Sequence, residues 1–591
     1  MKNWYRILIL FLVSSSLLTF TAAAQQKNTD TERALVLKLA AYLKDSSYIK
    51  NTIRQIETEK KVEIQITGYQ KLHKQVQRML LLQSELKWLN MEAIRLAYED
   101  MKRIEGFDAV KYLPILTELE QQVKQGFGNI YSAYEAVLAN AEKAVANKRA
   151  ILLANPLLNG DKILTVRYQL GNRDRRAMAP ELGTQSNNWS NQESARRKGF
   201  NADIVELSNL RDEVQIRTIY KPDNTSSIAD LKLHWDGDRA MFTQTMSDNR
   251  WNVFEVKLNN GDCKKLIDNP EPDLEFYDGT YLPDGRIIAN SNIGYQGVPC
   301  VNGSDPVGNM VLYTPQSKNL RRLTFDQDAN WNPVIMNNGR VMYTRWEYTD
   351  LTHYYTRIVM NMNPDGTEQK ALYGSGSMFP NSTFDVQPLP GYASAFVGII
   401  SGHHGVARSG RLILFDPAKA RKGAAGMLQE IPHRNRPIVE EVKDRLVDGV
   451  WPQFIKPSPL NDTYFLVAAK LDKNDLWGIY LVDKFDNVTC LHKMEGEGYI
   501  SPIAVRKTVT PPAIPDRVKL DDKQATVFIQ DIYEGEGLKG IPRGTVKSLR
   551  LHAYEYAYVQ TQSDHNWHGI QSGWDIKRML GTVPVEEDGY F

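Results

Sequence analysis

The 591-residue chain carries 72 Lys and Arg against 70 Asp and Glu, a formal charge of 72 − 70 = +2, and 42% of its residues are hydrophobic. That length allows several globular domains, and the charge balance gives no electrostatic reason to expect a nucleic-acid partner. Cys263, Cys300 and Cys490 form no Cys-x-x-Cys pair; one disulfide with a thiol left over, or three buried inert thiols, both fit this spacing. No Cys-x-x-Cys-His occurs, so a standard covalent haem c is not expected, and no other cofactor is indicated.

Residues 1–24 read as an export signal. Lys2 and Arg6 precede an apolar run from Ile7 to Phe20, and Ala22-Ala23-Ala24 offers small residues for cleavage before Gln25. The run is shorter than the ~20 residues of a spanning helix, which favours cleavage over anchoring. No later segment is apolar enough to span a bilayer. A periplasmic or secreted location is therefore expected.

Residues 25–154 read as α-helical: proline is nearly absent and Ala, Leu, Glu, Lys and Gln dominate. From Leu72 to Met101, Leu72, Val76, Met79, Leu82, Leu86, Leu89, Ala93 and Leu96 follow at three- and four-residue steps, an amphipathic stripe. A second such stretch runs from Ile130 to Leu152. Gly106, Gly126 and Gly128 mark breaks between helices, predicting a helical hairpin that packs on itself or a coiled coil that binds a partner.

From 155 to 506 the pattern changes to short strands. Five copies of a strand–turn–strand unit are read, clearest at Leu231–Ile267, Tyr277–Thr324 and Ala329–Gly374, with a later unit at Trp451–Glu495. An irregular first unit, with a loop inserted at Gly171–Gly199, makes six blades; a second insertion is read at Lys419–Asp448. A seventh blade could be completed from Tyr499 to Pro502. A repeat of ~40–50 residues of short strands predicts a six- to seven-bladed β-propeller, since one such sheet cannot bury both faces alone. Several repeats carry Pro-Asp-Gly or a relative (Pro283-Asp284-Gly285, Pro364-Asp365-Gly366), turn residues with little chemical meaning. They resemble the TolB-type (PD40) repeat of periplasmic propellers.

Residues 507–517 form a proline-rich linker. Residues 518–591 read as a partial β-sandwich-like domain with strands at Ala525–Ile529, Gly544–Leu551 and Tyr554–Val559. The chain stops at Phe591 beside strand-like sequence, which reads as an interrupted domain.

The histidines are the candidates for chemistry. His403 and His404 stand between glycines in Gly402-His403-His404-Gly405. Neighbours on a strand point to opposite faces, so both reach one metal only if the chain bends. His353 lies in a loop with Arg345, Trp346 and Glu347, and His565 and His568 are three residues apart. Hydrogen-bonded loop histidines are the competing reading. Gly374-Ser375-Gly376-Ser377 does not fit a nucleophile elbow, and no zincin, Walker or Rossmann motif occurs.

Gly402–Gly405 followed by Gly410–Pro417, Trp331-Asn332-Pro333 with Gly339–Glu347, Asp564–Gly569 and Leu580–Gly589 together resemble the middle domain of the hydrazine synthase α-subunit-like proteins. The resemblance covers about Ile151 to Phe591. It implies an exported propeller, often joined to haem c modules. Without Cys-x-x-Cys-His, neither hydrazine chemistry nor electron transfer is carried over. The expectation is a non-catalytic scaffold or binding protein. Its propeller face, carrying Arg345, Trp346, Glu347, His353, His403 and His404, would bind a small ligand or a periplasmic protein. The alternative is a redox or metal-dependent enzyme of this class with ligands among His403, His404, His565 and His568.

Overall fold

The computed structural model describes residues 27–586 except 159, 161, 171–177, 299–303, 347–355, 525–526, 530, 534–535 and 556–575. The expected export signal lies outside these residues. The chain divides into two compact units, Met1–Pro156 and Leu157–Phe591. Among the described residues no helix is long and apolar enough to cross a membrane.

The first unit is all helix: α1 (27–40), α2 (Ser47–Glu57), α3 (Val62–Lys87), α4 (Met91–Met101), α5 (Ala109–Gln125) and α6 (Glu135–Leu152). The predicted stripe is buried through Leu72, Val76, Met79 and Leu82, which pack with Ile49, Ile53, Leu138 and Val145. It does not continue as one helix. Asn90 accepts hydrogen bonds from the backbone N–H groups of Glu92 and Ala93, so it ends one helix run and caps the next. The face then rotates: Ala93, Ile94, Ala97, Tyr98 and Met101 are buried, while Leu96 is half-buried. Gly126, with φ 77°, stops α5. Arg78 reaches from α3 to Glu135 (3.0 Å) and Glu142 (2.7 Å) on α6.

Among the described residues the second unit holds six antiparallel four-stranded blades, of which blades 4 and 5 run into one eight-stranded sheet through a single parallel pairing of Arg357 with Ser382. Blade 2 is Ile228–Leu233, Arg239–Thr245, Trp251–Lys257 and Cys263–Lys265; blade 3 is Phe276–Tyr281, Ile287–Ser291, Asn309–Thr314 and Asn319–Arg322. Blade 4 is Asn330–Ile335, Val341–Trp346, Arg357–Met362 and Lys370–Tyr373. Blade 5 is Ser382–Pro388, Phe396–Ser401, Arg411–Phe415 and Met427–Ile431; blade 6 is Gln453–Pro459, Tyr464–Lys470, Gly478–Asp483 and Val488–His492. Blade 1 joins Lys162–Gln169, Ala202–Ser208 and Gln215–Tyr220 to the late strand Glu497–Ala504. This pairing, from Ile163↔Ala504 to Gln169↔Glu497, closes the ring. The strand around Tyr499–Pro502 therefore completes the first blade and adds no seventh. The Lys419–Asp448 insertion is partly structural, because it contains the outer strand of blade 5.

Neighbouring blades bury each other's faces. Met241 and Val253 of blade 2 pack with Phe276, Ile287 and Val311 of blade 3, and Ile288 and Met310 pack with Val341, Tyr343 and Met360 of blade 4. Burial of this kind is worth about 25 cal/mol per Å². The chain then runs through its proline-rich segment to a two-stranded hairpin, Ser548–Glu555 with Ile576–Pro584. The expected strand at 525–529 is not formed across its described residues 527–529, and Phe528 is 84% exposed. Most of the strand expected at 554–559 lies outside the described residues.

Candidate functional site

Trp346 ends the second strand of blade 4 and is 2% exposed. The Arg357 guanidinium lies 4.4 Å over its ring, and Trp331 stacks at 6.4 Å. His403, 5% exposed, sits 5.8 Å from Trp346 and 4.3 Å from His404. The glycines do allow the bend that brings these two rings together. A side chain at Gly402 would collide with the Asp444 carbonyl, and Gly405 has φ 87°. Arg345, on the same strand, instead reaches Asp326 at 3.3 Å. Glu347, His353, His565 and His568 lie outside the described residues.

The hydrogen bonds fix what these rings can do. Arg357 Nη1 donates to His403 Nδ1 at 2.8 Å. An arginine only donates, so Nδ1 is the acceptor and Nε2 carries the hydrogen. Burial, then the Arg357 charge and His404, hold His403 down to about 2, so it is a neutral imidazole. His404 Nδ1 lies 2.7 Å from Asp444 Oδ1, which also accepts from the His404 backbone N–H at 3.0 Å. His403 is thus buried, and its Nδ1 lone pair is already engaged by Arg357. Among the described residues His234, Asp236 and Asp238 also lie close enough to share a cation, but Arg239 donates to His234 Nε2 at 2.7 Å and pairs with Asp238 at 2.8 Å.

A second constellation lines the channel. The innermost strand of each blade is bulged, and each bulge carries one residue in the left-handed region: Asp230 (φ 53°), Asp278 (52°), Asn332 (53°), Asp385 (51°), Lys456 (53°) and Ser501 (56°). Asp and Asn tolerate this conformation better than other side chains, and a bulge redirects the side chain it carries. All six line one cavity of about 580 Å³, whose outer part is walled by Trp235, Tyr281, Val334 and Pro390.

The charges in this ring are paired unequally. Lys456 Nζ lies 2.8 Å from Asp385 and 3.4 Å from Asp230. Lys232 Nζ lies 3.2 Å from Asp278 and 2.8 Å from the Pro333 carbonyl. Asp278 Oδ2 accepts from the Asn332 backbone N–H at 2.6 Å. Burial works against the Lys456 ammonium, but Asp385 and Asp230 outweigh it and raise its pKa. Burial, then Asp278, raises Asp230. Asp230 Oδ2 has no hydrogen-bond partner.

Arg408 stands behind this ring. Its guanidinium is clamped between Trp331 (4.8 Å) and Phe384 (4.4 Å) and donates to the carbonyls of Asn187 and Ser190. Burial lowers it to about 10 against the pull of Asp385, Asp278 and Asp230. Asn187 and Ser190 belong to the loop inserted in blade 1. That loop bridges blades: Asn188 donates to the Gly402 carbonyl at 2.7 Å, and Ser190 Oγ to Asp305 at 2.9 Å.

The same loop carries Glu193, pushed up to about 8 by burial and then by Glu275, against the pull of Arg197 and Asn292. A raised carboxyl pKa means the folded state holds a proton that the unfolded chain releases. That contribution is complete below about pH 4.5 and is lost as pH rises through about 8. Within this window stability should fall by at most about 1.4 kcal/mol per pH unit from this group. Glu193→Gln should flatten the slope, read by urea denaturation at a series of pH values in both proteins; parallel slopes would refute the assignment.

At the Trp235 end of the channel lies the proline-rich segment. The Thr508 N–H donates to the Trp235 carbonyl at 2.8 Å, Asp516 pairs with Arg286 at 2.8 Å, and the Arg517 and Val518 N–H groups donate to Asp365 Oδ2 at 2.5 and 2.9 Å. Val509 and Pro511 consequently form part of the cavity wall. Asp365, read from sequence as a turn residue, also anchors this strap. Sequence reasoning missed the ring. The available signal was spacing: Asp230, Asp278 and Asn332 each stand seven residues before a turn glycine (237 − 230, 285 − 278, 339 − 332). Of the cysteines, Cys263 is exposed and Cys490 buried, both as free thiols, so Cys263 departs from the buried-thiol reading; Cys300 lies outside the described residues.

Strand order and ring closure define the second unit as a six-bladed β-propeller preceded by a helical unit. Residues 544–591 match the family described as hydrazine synthase alpha subunit middle domain. The match contains the Asp564–Gly569 and Leu580–Gly589 motifs; the blade 4 and blade 5 motifs of the resemblance fall outside it. The comparison with curated proteins gave no match. Among solved structures the chain is similar to hydrazine synthase from Kuenenia stuttgartiensis, with 11% identity, TM-score 0.43, and coverage of 60% of this chain and 48% of that one. TolB from Acinetobacter baumannii gives 11% identity, TM-score 0.37 and coverage of 61% and 72%. Oligogalacturonate lyase from Vibrio parahaemolyticus gives 12%, 0.32, and 57% and 83%. This chain thus spans about half the length of the hydrazine synthase chain.

Proposed function

We propose that this chain is an exported, non-catalytic β-propeller protein that holds a small ligand in its central channel and serves as a binding or scaffold component. The observation that carries this reading is the convergence of one side chain from every blade, each at the same bulged position, on a single cavity. Cavities of a few hundred Å³ with a few placed polar groups are the usual form of small-ligand sites. The engagement of His403 by Arg357 and of His404 by Asp444 supports a structural task for the histidine pair. Export rests on the apolar run Ile7–Phe20 and the alanines before Gln25. Mass spectrometry of the protein from envelope fractions of its native host should find Gln25 as the first residue. A chain that retains Met1 in the cytoplasm would contradict export.

The family match at 544–591 favours a second reading, a redox or metal-dependent enzyme of the hydrazine synthase-like class. The two readings separate on metal analysis and a visible spectrum of the protein purified from its native host. The binding reading expects neither a Soret band nor a stoichiometric transition metal; either would favour the enzyme.

A further inference from the structure

The channel differs in chemistry from one end to the other. Its outer part offers Trp235, Tyr281, Val334 and Pro390, and its inner part the six residues of the ring. Within the ring the carboxylates are not equally served. Asp385 has Lys456 at 2.8 Å, and Asp278 has Lys232 at 3.2 Å and the Asn332 N–H at 2.6 Å. Asp230 receives only a share of Lys456 at 3.4 Å, through Oδ1, and its Oδ2 is unpartnered although the residue is 6% exposed. A buried acceptor left without a donor is destabilising, and more so when charged.

We propose that the channel takes an organic cation, a primary ammonium on an apolar or aromatic stem, with the ammonium at Asp230 and the stem along Trp235 and Tyr281. This rests on the reading of the channel as a ligand site. An ammonium supplies three donors in a compact group and fits a site with one under-served carboxylate. A carboxylate ligand would face Asp230, Asp278 and Asp385, whose own cations are already engaged. A bare metal ion is disfavoured because the three ring carboxylates do not bring three oxygens within 4.8 Å of one another. The raised pKa of Asp230 is consistent: burial, then the neighbouring Asp278, penalise its charge beyond what Lys456 and Lys232 offset, and a further cation would relieve that penalty.

The test uses three probes with similar stems, phenethylamine, phenethyl alcohol and hydrocinnamate, titrated into the full chain at neutral pH. Binding is read by calorimetry, and its location by the change in fluorescence that Trp235→Phe removes. The amine should bind at least about tenfold more tightly than the alcohol, with hydrocinnamate weaker still. Asp230→Asn, which keeps the shape and removes the charge, should erase the preference for the amine and leave the alcohol unchanged. Equal binding of amine and alcohol at the Trp235 site would overturn the cation assignment while the channel stayed a ligand site. No Trp235-dependent response to any probe would overturn both. The wild-type preference decides the class even if Asp230→Asn fails to fold.

Discussion

Arg408→Ala is expected to cost about 3–5 kcal/mol of unfolding free energy and to release the loop inserted in blade 1. The magnitude follows from what the side chain does. It fills the space between Trp331 and Phe384, and its removal leaves a cavity in a packed core. It is also the donor for the Asn187 and Ser190 carbonyls, which lose that partner. The positive charge behind the ring is lost as well, leaving Asp230, Asp278 and Asp385 with less compensation. Urea denaturation measures the cost, and limited proteolysis between residues 178 and 198 measures the release. A loss below about 1 kcal/mol with an unchanged cleavage pattern would show that Arg408 is not the pin. Arg408→Lys should recover part of the stability, since an ammonium keeps the charge but lacks the planar fork that spans two carbonyls.

Ile500→Asp is expected to be the more severe change, above about 4 kcal/mol, because it places an unpaired charge in a sealed core. Ile500 is buried and pairs with Val166 in the contact that closes the ring. Thr165 Oγ1 donates to the Ile500 carbonyl at 2.7 Å in the same place. Opening this blade exposes the faces of its neighbours, so the propeller should unfold at a lower urea concentration. Leu551→Asp in the C-terminal hairpin is the matched control. Leu551 is exposed, and its replacement should change stability by no more than about 0.5 kcal/mol. Comparable effects from the two substitutions would contradict ring closure.

The blades were legible in the sequence because turns write themselves in Pro, Asp and Gly, and strands between them in alternating apolar residues. Blades 2, 3 and 4 begin and end close to the repeats read from Leu231, Tyr277 and Ala329. The closing strand was visible at Tyr499–Pro502, but its partner was not, since pairing across more than 300 residues leaves no local trace. The break at Asn90 was hidden for a different reason: an apolar stripe continued through it while the helix face rotated. The outer strand of blade 5 was masked by the polar sequence around it.

The site was legible in part. Sequence picked out His403, His404 and Trp346, and the structure gathers these three; it could not supply Arg357 or Asp444, which reach them from other segments and decide their chemistry. The ring was missed because its signature is conformational. Lys456 and Ser501 share a left-handed backbone with Asp230, Asp278, Asn332 and Asp385, yet nothing in a lysine or a serine announces it. Arg408 was missed because a buried arginine clamped by aromatic rings looks, in sequence, like any surface arginine.

If the channel is the ligand site, binding should depend on Asp230 and not on the histidine pair. Calorimetry of phenethylamine against wild-type protein, Asp230→Asn and His404→Ala, run side by side, tests this most directly. Affinity should fall at least about tenfold in Asp230→Asn and stay unchanged in His404→Ala; loss of binding in His404→Ala with full binding in Asp230→Asn would contradict it.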